Sequence, residues 1–134
     1  MHNRDSMEVE MAHQQYSACV EACNRCAAAC DHCATACLAE RDPKPMAHCI
    51  ALDMDCADIC RLAVGYMSRG SVHAYSVCQL CAEICDACAD ECSKHPMDHC
   101  RECADACRRC ADECRRMPQQ GSATAQASTS QRTH

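Results

Sequence analysis

The sequence predicts an all-α protein, an antiparallel up-down-up-down four-helix bundle with a cysteine-lined core. Three observations point to it. Cysteines recur at alternating steps of four and three in runs such as CVEACNRCAAACDHCATAC, from Cys19 to Cys37. Residues so spaced share one face of an α-helix. The runs lie in segments rich in Ala and charged residues, which favour helix. Short breaks containing Pro or Gly separate the segments, and short connections make antiparallel neighbours.

The elements follow in order. A first helix is expected over 6–40, with the stripe Tyr16, Cys19, Cys23, Cys26, Cys30, Cys33, Cys37. The break RDPKP (Arg41 to Pro45) ends it. A second helix over 46–67 carries Met46, Cys49, Asp53, Cys56, Cys60, Ala63 and Met67, and SRGS (Ser68 to Ser71) closes it. A third over 71–94 carries Ala74, Cys78, Cys81, Cys85, Cys88 and Cys92, with His95 in register just beyond. After KHPMD (Lys94 to Asp98), a fourth over 97–117 carries Met97, Cys100, Cys103, Cys107, Cys110, Cys114 and Met117. Residues 1–117 thus read as one bundle domain. Residues 118–134 form a polar, low-complexity tail that is expected to be disordered.

In an ordinary bundle the stripe positions hold Leu or Ile. This chain of 134 residues has 19 Cys, no Phe or Trp, and only 12 Leu, Ile and Val together. So few aliphatics leave Cys and Ala to fill the core, and Cys packs as a small hydrophobe. The formal charge of −6 is spread in both signs along the helices, with no basic patch and no interleaved aromatics, which gives nucleic-acid binding no support. The opening residues lack the apolar run of a signal peptide, and no stretch reaches transmembrane length. A cytoplasmic chain with reduced thiols is expected. An odd cysteine count also rules out complete disulfide pairing within one chain.

A second apolar stripe flanks the first on two helices: Leu52, Ile59, Leu62 and Tyr66 on the second, Val77, Leu80 and Ile84 on the third. Either it widens the core-facing arc, or its exposure forms a patch that drives self-association through these two helices. The fourth helix has no such stripe, since Arg101, Glu102, Asp105, Arg108, Arg109 and Asp112 crowd its outer face.

A seam of thiols is a seam of metal ligands. Iron–sulfur clusters use compact loop motifs, unlike four long helical stripes. Zinc takes four thiolates in a tetrahedron, which adjacent helices could supply. Each such unit carries two negative charges, however, and the seam has no Lys or Arg to offset them. Burying unpaired charge costs several kcal/mol per ion. One Cu(I) per thiolate is neutral, and soft thiolate ligands select Cu(I). Taking Zn–S of about 2.3 Å as a guide, a linear S–Cu–S unit needs sulfurs within about 4.6 Å. Each C-x₃-C step is then a candidate clip.

The repeated C-x₃-C and C-x₂-C steps on all four helices, from Tyr16 to Met117, resemble those of the copper storage proteins. The resemblance implies a core filled with multiple Cu(I) ions per chain, copper sequestration, a homotetramer and, for a chain without a leader, a cytosolic member. The ligand role is carried to the 19 cysteines. The second helix departs from the pattern, with three cysteines and Asp53 on the seam. Carboxylate is too hard for Cu(I), so Asp53 is expected to be a hydrogen-bonded structural residue. Among the histidines, His95 is the candidate ligand by register. His2, His13 and His134 are expected to be solvated, and His32, His48, His73 and His99 to flank the seam at the surface. The alternative function is a zinc or cadmium thiolate buffer. No nucleophile–base pair or phosphate loop suggests an enzyme.

The two ends of such a bundle differ. One gathers Cys37, Met46, His48, Cys49, Cys92, His95, Met97, His99 and Cys100; the other gathers Tyr16, Met67, Ala74 and Met117. The first is expected to admit copper by ligand exchange.

Overall fold

The computed structural model describes the chain from His2 to Pro118, with side chains from Tyr16 onward. Four helices make up the fold: α1 (His2–Leu38), α2 (Ala47–Ser68), α3 (Ala74–Cys92) and α4 (Asp98–Arg116), with a 3-10 turn at Lys44–Met46. No strand occurs among the described residues. The helices pack in ring order, α1 on α2, α2 on α3, α3 on α4 and α4 back on α1. This is the expected up-down-up-down arrangement, and it leaves one axial core. The tail expected to be disordered lies, from residue 119, outside the described residues.

Each helix end has a local cause. Beyond Leu38 the Glu40 N–H bonds the Cys37 carbonyl (3.2 Å), which tightens the last turn, and Pro43 and Pro45 prevent continuation. The Asp42 carboxylate accepts the Lys44 N–H (3.3 Å) inside that break. Helix α2 ends in a Schellman motif: the Gly70 N–H bonds the Met67 carbonyl (3.0 Å) and the Ser71 N–H bonds that of Tyr66 (3.0 Å). Gly70 takes φ 65°, a left-handed conformation that favours glycine. Helix α4 follows Pro96 through an extended Met97 and has Asp98 in its first turn and Arg115 and Arg116 in its last, matching the helix dipole.

Two boundaries differ from the sequence expectation. Helix α1 starts at His2, four residues earlier than expected, since the added residues HNRD contain no Pro or Gly to stop it. Helix α3 starts at Ala74, three residues later. The Ser71 hydroxyl accepts the His73 N–H (3.0 Å) and the Ser71 carbonyl accepts that of Ala74 (3.1 Å), so a local turn occupies 71–73 instead of helix.

The second apolar stripe is largely core. Ile59 is buried, and Leu52, Tyr66, Val77 and Ile84 are partly buried against the core. Only Leu62 (49% exposed) and Leu80 (48% exposed) face solvent. Of the two readings, the wider core-facing arc holds for five of the seven, as a globular helix requires, and the exposed patch is reduced to two leucines.

Alanine sets the spacing of the walls. Ala27, Ala57, Ala82, Ala89, Ala104 and Ala111 each follow a seam cysteine by one residue, and all are buried. That position is turned about 100° from the thiol, toward the adjoining helix. A methyl group there lets neighbouring backbones approach closely enough for the short thiols to meet across the axis.

Candidate metal centre

All 19 cysteines are buried and free of disulfides. All four helices contribute to them, and their sulfurs form a continuous column. At the end where α1 carries Tyr16, Cys19 lies 3.5 Å from Cys114, with Cys78 beside both. Next, Cys110 bonds Cys23 (3.5 Å), and Cys60 lies 3.7 Å from Cys81. In the middle, Cys26 meets Cys56 and Cys107 (3.6 Å each), and Cys56 meets Cys85 (3.5 Å). Cys103 bonds Cys30 (3.6 Å). At the far end Cys49 lies 3.4 Å from Cys92, and Cys37 lies 3.8 Å from Cys100, which Cys33 also approaches.

The C-x₃-C steps bring sulfurs together along single helices as well. Cys26–Cys30, Cys81–Cys85 and Cys103–Cys107 are 3.9 Å apart, Cys33–Cys37 3.8 Å and Cys88–Cys92 4.0 Å. Each spacing is already within the reach set by two metal–sulfur bonds of about 2.3 Å.

Four-donor groups recur down the column. Cys23, Cys81, Cys110 and Cys114 form one; Cys26, Cys60, Cys85 and Cys110 another; Cys26, Cys30, Cys56 and Cys107 a third; Cys30, Cys88, Cys103 and Cys107 a fourth. Within each group the sulfurs lie within 4.8 Å of one another. The groups overlap: Cys26, Cys30, Cys107 and Cys110 each belong to two. A closed zinc site needs four thiolates of its own, so these groups cannot all hold separate zinc ions. Shared sulfurs suit bridging thiolates between monovalent ions.

Asp53 interrupts the column on α2. It is fully buried and accepts thiol protons from Cys88 (3.2 Å), Cys103 (3.3 Å) and Cys92 (3.5 Å) at Oδ1, with Cys49 at 3.9 Å from Oδ2. Burial, and then the charge of Cys103, push its carboxyl up to about 8. It is the hydrogen-bonded polar residue expected from the sequence. Burial likewise raises Cys37 and Cys100, the thiols at that end of the column, which therefore retain their protons at neutral pH.

The histidines divide differently from the expectation. His99, assigned to the surface by its place beside the seam, is only 14% exposed and puts Nε2 3.5 Å from the Cys37 sulfur. With Cys33, Cys37 and Cys100 it completes a mixed nitrogen–sulfur group. His95, the in-register candidate, is 16% exposed and is bonded through Nε2 to the buried carboxylate of Glu91 (3.0 Å). Sequence reasoning missed Glu91; its i,i+4 spacing from His95 was the available signal. His32, His48 and His73 are exposed. At the opposite end Tyr16, Met67, Ala74 and Met117 are all buried, and His73 is exposed.

Comparison with known proteins agrees with this geometry. Residues 12–119 match the family model described as copper storage protein. A solved structure of the Cu(I)-bound copper storage protein BsCsp3 is 50% identical, with a TM-score of 0.75, over 77% of this chain and 97% of that one. A cytosolic copper storage protein from Streptomyces lividans, solved with five coppers, is 40% identical over 81% of this chain and 95% of its own, with a TM-score of 0.76. An uncharacterized cysteine-rich protein of Bacillus subtilis is 52% identical over 72 residues, 53% of this chain and 67% of its own length. A cysteine column enclosed by four helices and a family match across nearly all of them lead to one conclusion: the chain belongs to the copper storage protein family.

Proposed function

We propose that the chain sequesters many Cu(I) ions in its sulfur column, with the 19 cysteines as ligands and the histidines at the Cys37–Cys100 end as the entry. The overlap of the four-sulfur groups carries this reading. Thiolates shared between neighbours allow about one Cu(I) per cysteine, and each ion replaces one thiol proton, so the dry core gains no net charge as it fills. The zinc or cadmium buffer lacks both the separate ligand sets and the compensating cations. The part assigned to the protein is storage, not catalysis. The likeness to a cytosolic relative and the free thiols support a cytoplasmic location. Among the described residues no helix is long and apolar enough to cross a membrane.

The domain is taken as 1–117, the extent of the cysteine seam and its capping residues. Asp53 is read as an internal hydrogen-bond acceptor that keeps the thiols around it ordered before metal arrives. A homotetramer, implied by the family resemblance, would have Leu62 and Leu80 of the flanking stripe among its apolar contacts, beside the exposed Leu38, Met54 and Val72; replacing Leu62 and Leu80 by Lys should lower the mass seen in sedimentation if they form it.

Anaerobic titration with Cu(I), with released protons measured alongside, tests the function. Uptake approaching one ion, and one proton released, per cysteine is expected. Saturation at four or five metals per chain, with Zn(II) displacing Cu(I), would reject storage.

A further inference from the structure

We propose that Glu91 is a positioning residue that fixes the tautomer of His95 and leaves His95 Nδ1 as the nitrogen offered to incoming copper. This rests on reading the Cys37–Cys100 end as the entry.

Glu91 is an unusual occupant of its position. It is a carboxylate next to the seam cysteine Cys92 on α3, and it is buried. Both of its oxygens are used: Oε2 meets His95 Nε2 at 3.0 Å and Oε1 accepts from Lys94 Nζ at 3.3 Å. Its pairing with the Lys94 ammonium marks it as an ionised acceptor.

A neutral imidazole carries one proton, and an ionised carboxylate can only accept. The short contact therefore places that proton on Nε2, and the lone pair falls to Nδ1. Carboxylates hydrogen-bonded to a histidine in this way orient the ring and strengthen its free nitrogen as a donor. Lys94, 70% exposed, neutralises the carboxylate from the solvent side without reaching the ring.

The neighbouring histidine is built otherwise. His99 already points Nε2 at a core sulfur, with Glu40 farther away at 3.8 Å. His99 is thus part of the store's wall, while His95 is held back from it by an acidic tether one helical turn earlier. The entry has two imidazoles in two settings, and Glu91 makes the difference.

The test uses the full chain with Glu91→Ala and Glu91→Gln. In the metal-free wild type, long-range ¹H–¹⁵N spectra at a pH where His95 is neutral should show the Nε2–H tautomer. Glu91→Ala should give a tautomer mixture and slow anaerobic Cu(I) loading on the order of tenfold, with final capacity unchanged. Glu91→Gln, whose amide oxygen still accepts Nε2–H, should restore the single tautomer and most of the rate. An Nδ1–H tautomer in the wild type, or an unaltered tautomer in Glu91→Ala, would overturn the proposal. His95→Ala separates it from the entry reading. If His95→Ala loads slowly while Glu91→Ala loads normally, the entry stands and the Glu91 role falls. If His95→Ala loads normally, the entry reading loses His95, and the tautomer spectra alone decide whether Glu91 positions the ring.

Discussion

The two ends of the bundle are built from similar residue types and to opposite effect. Each has methionines near the last cysteines. At one end Met67 and Met117 are buried with Tyr16 and Ala74, so apolar packing seals the column. At the other, Met46 is buried too, but Met97 is only partly buried, His95 is partly exposed, and His99 reaches the Cys37 sulfur from the surface. A soft donor gives passage only where it touches both water and the next ligand. Enclosed within packing, the same thioether is a plug. If the proposed entry is right, exposure more than chemical type separates a door from a wall.

Four experiments would break or sharpen that contrast. The largest effect is expected at the sealed end. Met67→Ala should destabilise the metal-free protein by about 2–5 kcal/mol, as for other large core side chains cut to Ala, whereas Met97→Ala should cost roughly 1 kcal/mol or less because its site is partly open. Denaturant unfolding of both variants measures the difference, and equal losses would mean that the two ends are equally packed.

Asp53 sits in the half of the column nearer the entry, among Cys49, Cys88, Cys92 and Cys103. Its folded pKa, about 8, is above the ordinary carboxylate value. Between about pH 4 and pH 8 the native state therefore holds a proton that the unfolded chain has lost. Stability falls as pH rises through that window, by at most about 1.4 kcal/mol per pH unit from this group. Asp53→Asn should lack this slope, so its stability relative to wild type should climb from pH 4 to pH 8 in the metal-free protein. A constant difference across the window would show that the carboxyl keeps its ordinary pKa.

Kinetics probe the ends directly. Replacing His48, His95 and His99 together by Ala should slow Cu(I) loading on the order of tenfold or more, while final capacity falls far less. Met67→Leu with Met117→Leu should leave the rate within about twofold, since volume-conserving swaps disturb packing little. A slow sealed-end variant would reverse the assignment. The smallest effect is expected at exposed ion pairs. Arg61 pairs with Asp31 across α1 and α2, and Arg115 with Asp86 across α3 and α4. Arg61→Ala should leave stability almost unchanged, since an exposed pair contributes little, and loading not at all.

The cysteine register made the four helices and the shared axis legible in advance, because a strict three–four repeat permits little else. What the sequence concealed were choices made by neighbours. Ser71 was read into a helix because its competing hydroxyl bond to His73 N–H cannot be seen from composition. The flanking apolar stripe stays open between core and patch in the sequence because register alone does not say how wide an arc each helix buries. His99 was placed outside because it lies beside the seam; its approach to Cys37 depends on how α1 and α4 meet. The alanines after the seam cysteines were visible as composition, but their place between helices became clear only with the ring order.

Those alanines have a consequence for how the vessel tolerates change. The bore of the column is gauged by methyl groups lying outside it, not by the thiols or by anything the thiols hold. Its calibre is therefore set by residues that hold no metal. Conversely, the part most sensitive to drift is the plainest one. A single Ala111→Leu would wedge α4 away from its neighbour and widen the column at Cys110, parting sulfurs that now stand 3.5 Å from Cys23, with every cysteine still in its place in the sequence.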